Sequence, residues 1–183
     1  SFPFSPPIYN KRIFSKEPQR GDLVVFKTPS DNRTDYIKRL IGLPGDSIQF
    51  INGDIFLNKK KILRKEVREN IKIRCGNINL NVNFYEETLP NGIKYKAVYN
   101  SIGTLQNSDE YIVPKDHYFF LGDNRDCSKD SRFLTSVGYV HKDNLVGKAQ
   151  IIFFSSDRKI ASIFAFWKWN ESIRLERFFK KIE

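Results

Sequence analysis

The chain has 183 residues, 40% of them hydrophobic, with 16 Phe and 8 Tyr. That is one domain, or one domain with an elaborate insertion, and the aromatic and β-branched content favours strands over helices. A formal charge of +10 suits nucleic acid, anionic lipid or merely a solvated lysine-rich surface, and no stretch approaches the roughly 20 apolar residues that span a bilayer. The chain contains no Met, so Ser1 is not a translation start and further sequence is expected upstream. Cys75 and Cys127 form neither a metal-type spacing nor a disulfide framework. Whether they pair is left open.

Residues 1–20 hold Pro3, Pro6, Pro7 and Pro18, which predicts an extended lead-in. Leu23 to Lys27 predicts a buried strand, and Tyr36 to Gly42 a second, closed by the turn Leu43-Pro44-Gly45-Asp46. Ser47 to Ile51 and Asp54 to Asn58 flank Asn52-Gly53, a strong hairpin signal. Lys59-Lys60-Lys61 then suits an exposed turn. Residues 21–62 and 116–154 thus form the expected β core, and residues 63–115 an inserted β-rich subdomain. Within that insertion only Asn83 to Thr88 and Ile93 to Tyr99, joined at Pro90-Asn91-Gly92, give strand-like runs. Its basic residues are scattered among many Asn, a poor pattern for nucleic acid. Tyr118 to Leu121 returns to the core, and the last strand is expected over Ala149 to Phe154. Residues 155–183 form a basic, aromatic tail with loosely helical apolar spacing. It suits either an amphipathic helix at a bilayer interface or a helix packed on the domain's own sheet.

Lys38 is the residue with the most chemical promise. A lysine serves as general base only when neutral, and burial among apolar groups lowers its pKa. On a strand, Tyr36, Lys38 and Leu40 share one face, so an aromatic and an aliphatic neighbour flank the amine. Farther on, Gly122-Asp123-Asn124-Arg125-Asp126-Cys127-Ser128-Lys129-Asp130-Ser131-Arg132 combines a Gly-Asp-Asn turn with acidic, basic and hydroxyl side chains. Alone, each segment reads as ordinary surface.

Taken together and in order, Arg20 to Phe26, Asp35 to Asp46 and Gly122 to Arg132 resemble the sequence boxes of bacterial type I signal peptidases, membrane-bound Ser-Lys proteases that remove leader peptides. The resemblance implies a mostly β fold: two antiparallel sheets forming the catalytic core, with the inserted β subdomain and a C-terminal amphipathic helix added. It implies Lys38 as general base, Ser128 hydrogen-bonded to its amine, and Asp123, Asp130 and Arg132 as ion-pairing support. Asp35, Tyr36 and Ile37 would meet the substrate, with small side chains selected by shallow pockets and the peptide lying as an added strand. No metal or cofactor is expected. Signal peptides and an anionic membrane surface are the expected partners, nucleic acid is not, and the expected location is the exported side of the bacterial inner membrane. The family's Ser-Met-x-Pro nucleophile segment has no counterpart in these residues, and neither Ser1 nor Ser5 has its context. The 183 residues alone are therefore expected not to cleave. A self-cleaving repressor-type Ser-Lys protease would share the fold but needs a DNA-binding or cleavage-site segment, and neither is evident. A catalytically dead scaffold or binding module remains the other alternative.

Overall fold

The structure, a computed structural model, describes residues 17–100 and 105–149. The chain divides into two compact units at Lys148/Ala149, and the description here is of the first. Nearly all of the lead-in, the strand expected over Ala149 to Phe154 and the tail helix lie outside the described residues, Ala149 itself being outside any strand.

Twelve strands are described: β1 Leu23–Lys27, β2 Asp35–Gly42, β3 Ser47–Ile51, β4 Asp54–Leu57, β5 Lys60–Lys61, β6 Leu63–Cys75, β7 Ile78–Thr88, β8 Lys94–Asn100, β9 Tyr111–Ile112, β10 His117–Leu121, β11 Val140–His141 and β12 Leu145–Lys148. They form a five-stranded sheet, β11-β10-β2-β1-β12, a four-stranded sheet, β5-β4-β3-β9, and a three-stranded sheet, β6-β7-β8. All pairs between these strands are antiparallel. The mostly β expectation holds, with two sheets in the core and the third built by the inserted segment.

Strands β2 and β10 pair inside the first sheet, where Arg39 to Gly42 and Tyr118 to Leu121 are buried on both faces. Leu40 and Phe120 join Val24, Phe26, Val140 and Leu145 in one cluster. Ile41, Phe119 and Leu121 point the other way, into a second cluster with Ile48, Phe50, Ile55 and Leu57 of the second sheet and Tyr95, Ala97 and Tyr99 of the third. Asn52 and Gly53 both take positive φ, 50° and 78°, as the two-residue hairpin signal requires. The turn expected over Lys59 to Lys61 is displaced. Asn58 and Lys59 hold the left-handed positions, φ 51° and 63°, and Lys60–Lys61 continue as β5 with Lys61 paired to Asp54 at 2.5 Å.

The largest departure is β6 with the first half of β7, a hairpin outside the expected strand runs although Ile71 to Cys75 and Ile78 to Phe84 alternate apolar and polar around Gly76-Asn77. These strands make a long hairpin with Leu63, Val67 and Ile78 exposed. That alternation is the period-2 signal of a strand with one face in solvent, and Gly76-Asn77 is its two-residue turn.

Candidate active site

Lys38 lies on β2 opposite Val24 of β1. Its Nζ stands 5.4 Å from the centre of the Tyr36 ring, as expected for neighbours on one strand face. Burial lowers its pKa below the usual 10.5; Asp130 opposes that shift, Arg132 adds to it, and Asp123 opposes it. The result is an amine biased toward its neutral form, which is what a general base needs.

Segment 122–132 closes over this amine. Gly122 is the point of contact. A Cβ placed there would stand 1.9 Å from Ser128 Oγ and 3.5 Å from Lys38 Nζ, so only glycine leaves room for the hydroxyl and amine to converge. The expected Ser128–Lys38 hydrogen bond is not formed, however. Ser128 Oγ is buried without a hydrogen-bond partner, while the amine lies over the Tyr36 ring. The two groups are juxtaposed rather than bonded.

The supporting acids and bases occur as ion pairs. Asp123 receives two parallel bonds from Arg39, Nε to Oδ1 and Nη2 to Oδ2, each 2.8 Å. Such a planar fork fixes orientation as a lysine could not. Arg39 also donates to the Gly21 carbonyl at 2.8 Å, tying the first box to the third. Asp130 is fully buried, accepts from the Gly122 N–H at 2.9 Å, and takes Arg132 Nε at 2.8 Å and Nη2 at 2.9 Å.

Two features of this site had no sequence signal. Arg125 and Glu87, both 1% exposed, form an ion pair at 2.7 Å. Tyr95 donates to Glu87 at 2.5 Å and Tyr99 donates to the same carboxylate. Cys75 and Cys127 form a disulfide with Cα atoms 5.7 Å apart. The pairs are 38 and 52 residues apart, so no local pattern could have joined them.

The expected substrate residues sit at the opening end of β2. Asp35 and Ile37 are exposed, Ile37 by 49%, and Tyr36 is half-buried. Asp35 meets Lys27 at 3.3 Å. Strand β1 borders this stretch on one side, whereas β10 pairs with β2 no closer to its start than Arg39. The other edge of Asp35 to Lys38 is thus free of any strand among the described residues. Two surface clefts elsewhere, one beside Gln49 and Phe56 and one beside Leu105 and Leu134, do not include Lys38. The chemistry favours the β2 edge over either of them.

A half-buried amine thus lies beside a buried hydroxyl on an antiparallel scaffold with an open strand edge. The family model for signal peptidase, peptidase S26, matches residues 7–154. Signal peptidase I of Rickettsia typhi is 44% identical over 191 residues, covering 96% of this chain and 70% of the relative. That of Rickettsia prowazekii is 43% identical over 190 residues with the same coverage. A crystal structure of a signal peptidase I from Enterococcus faecalis V583 is 27% identical, covers 73% of this chain and 97% of that one, and gives a TM-score of 0.43, too low to bear on the fold. This chain belongs to the signal peptidase family, peptidase S26.

Proposed function

We propose that this protein removes signal peptides from exported proteins by a Ser-Lys mechanism in which Lys38 is the general base. Family membership supports the reaction, and the observation that carries the mechanism is the burial of the Lys38 amine beside an unbonded hydroxyl at an open strand edge. A signal peptide adds as a strand along Asp35 to Lys38, where main-chain groups hold it and Tyr36 and Ile37 border its small side chains. This brings the scissile carbonyl to Lys38. The neutral amine takes the proton of an attacking serine, and the ammonium returns it to the leaving amine. A second round with water as nucleophile releases the acyl group. Ser128 packs beside the amine and excludes water from it, and it does not attack, because its Oγ is buried. The nucleophile would come from a Ser-Met-x-Pro segment that these 183 residues do not contain.

The reading places the catalytic unit on the exported face of the bacterial inner membrane. The Cys75–Cys127 disulfide supports that side, since such bonds persist in oxidising compartments. No helix of the described residues is long and apolar enough to cross a membrane. Attachment to anionic lipid falls to the basic, aromatic tail, outside the described residues.

The test uses protein expressed from its whole reading frame and a synthetic leader peptide. Lys38→Ala is expected to cut kcat/KM by about 10²–10⁴, the usual worth of a positioned base. Ser128→Ala should cost less, because it removes packing beside the amine and not the base itself. Near-normal cleavage by Lys38→Ala would refute the mechanism.

A further inference from the structure

The loop that carries Ser128 is held firmly at both ends and weakly in the middle. At its front, Asn124 forms a parallel bridge to Val98 of β8. Val98 N–H donates to Asp123 O at 2.7 Å, Arg125 N–H to Val98 O at 2.9 Å, and Asn100 N–H to an Asp126 carboxylate oxygen at 2.6 Å. At its rear, Ser131 N–H donates to Phe120 O at 3.0 Å and its hydroxyl accepts from Phe120 N–H at 2.9 Å. Between these anchors lie Cys127, Ser128 and Lys129. Ser128 Oγ has no partner, and Lys129 is exposed. Apart from one bond of 3.2 Å from Cys127 N–H to Asn124 Oδ1, the span is fixed by the disulfide.

The other half of that disulfide, Cys75, ends β6 and faces Ile78 of β7 across the Gly76-Asn77 turn. It is the distal tip of the exposed hairpin. A covalent tie thus runs from the hairpin tip to the residue preceding Ser128. We propose that Cys75 is a positioning residue for the Lys38 base, acting through its bond to Cys127 to hold Ser128 over the Lys38 amine and keep water out. This role rests on the Ser-Lys reading above.

The expected consequence is chemical as well as mechanical. Without the tie, the 127–129 span moves from Gly122, and the Lys38 amine gains water. Burial is the leading cause of its depressed pKa, so hydration raises it. The charged groups facing it, Asp130, Arg132 and Asp123, and the Tyr36 ring stay in place, because Asp123 and Asp130 are tied to Arg39 and Arg132. Loss of burial is then the change that the amine experiences.

The experiment follows the Lys38 ammonium by NMR titration in this chain, with Lys38→Arg assigning its signal. The disulfide form is compared with Cys75→Ala, which leaves the catalytic loop's own sequence untouched. Wild-type chain reduced with a phosphine in native buffer serves as a second preparation. We expect the Lys38 pKa to rise by about one unit in both, equivalent to roughly a tenfold loss of neutral amine at fixed pH below it. In enzyme from the whole reading frame, the acid limb of kcat/KM should move upward by the same amount. An unchanged Lys38 titration in folded, uncrosslinked protein overturns the proposal even if thermal stability falls. So does unfolding of both preparations, since the bond would then maintain the fold rather than the base. Should Lys38→Ala cleave normally, the Ser-Lys reading fails by itself, while the NMR comparison still decides what Cys75 does.

Discussion

Gly122→Ala tests the convergence of Lys38 and Ser128 with one methyl group. The added Cβ would stand 1.9 Å from Ser128 Oγ and 2.3 Å from Ser128 Cβ, where ordinary contact starts near 3.4 Å. The hydroxyl therefore has to retreat by about 1.5 Å. It cannot do so freely, since Cys127 is crosslinked to Cys75 and Asp130 is buried and holds the Gly122 N–H. Overpacking of this kind costs about 1–3 kcal/mol of stability. Misplacing catalytic groups by about 1 Å costs roughly 10²-fold in rate. The expected variant is folded, modestly less stable and about a hundredfold slower at cleaving a leader peptide. Urea unfolding and steady-state kinetics on the same preparation separate the two effects. A variant with normal kcat/KM would mean that the hydroxyl and amine need not converge, and the site geometry argued from Gly122 would fall.

Two further outcomes follow from buried charge. Burial holds the Lys38 pKa below 10.5. Between the folded value and 10.5 the unfolded chain binds more protons, so the site's contribution to stability rises with pH across that window and is unfavourable below it. Lys38→Met should therefore be more stable than wild type at neutral pH, with the gap narrowing as pH approaches 10.5. Urea midpoints at several pH values check this, and a gap independent of pH would contradict it. Glu87→Gln leaves the Arg125 guanidinium buried without its counter-charge and should cost about 3–5 kcal/mol, whereas Glu87→Leu with Arg125→Met should cost far less. A Glu87→Gln loss below about 1 kcal/mol, the range of exposed pairs, would show that the pair is effectively solvated.

The parts of the fold legible in the sequence are those where burial writes a local pattern. Strands β1, β2 and β10 announce themselves because apolar side chains fill one or both faces, and the β3–β4 hairpin because Asn52-Gly53 suits its left-handed turn. Lys38, an unremarkable cation by composition, became legible only through the boxes around it. The start of β6 gives no pattern, because Leu63 and Val67 face water, whereas Ile71 to Cys75 alternate and carry a strand signal that the expected runs omit. The Arg125–Glu87 pair and the disulfide were not legible, since each closes a long loop between residues that have no sequence relation. Ser128 lies beside Lys38 without the expected bond, since a strand face fixes direction and not the last ångström of a side chain.

The density of charge in segment 122–132 looks, in sequence, like catalytic machinery. In the structure most of it is scaffolding. Asp123 is held by Arg39 of β2, Arg125 by Glu87 of β7 and Cys127 by Cys75 of β6, so every second residue is fastened to a different strand. The fastenings reach into the first and third sheets. This spacing leaves Ser128 and Asp130 to act on Lys38, one by filling space and one by charge. It also gives the inserted sheet a reason to be bound so closely to the core. Charged side chains exposed in a flexible loop would attract water to the amine and keep it protonated. Pairing Asp123, Arg125 and Asp130 each with a fixed partner lets a polar loop cover the Lys38 amine with little hydration.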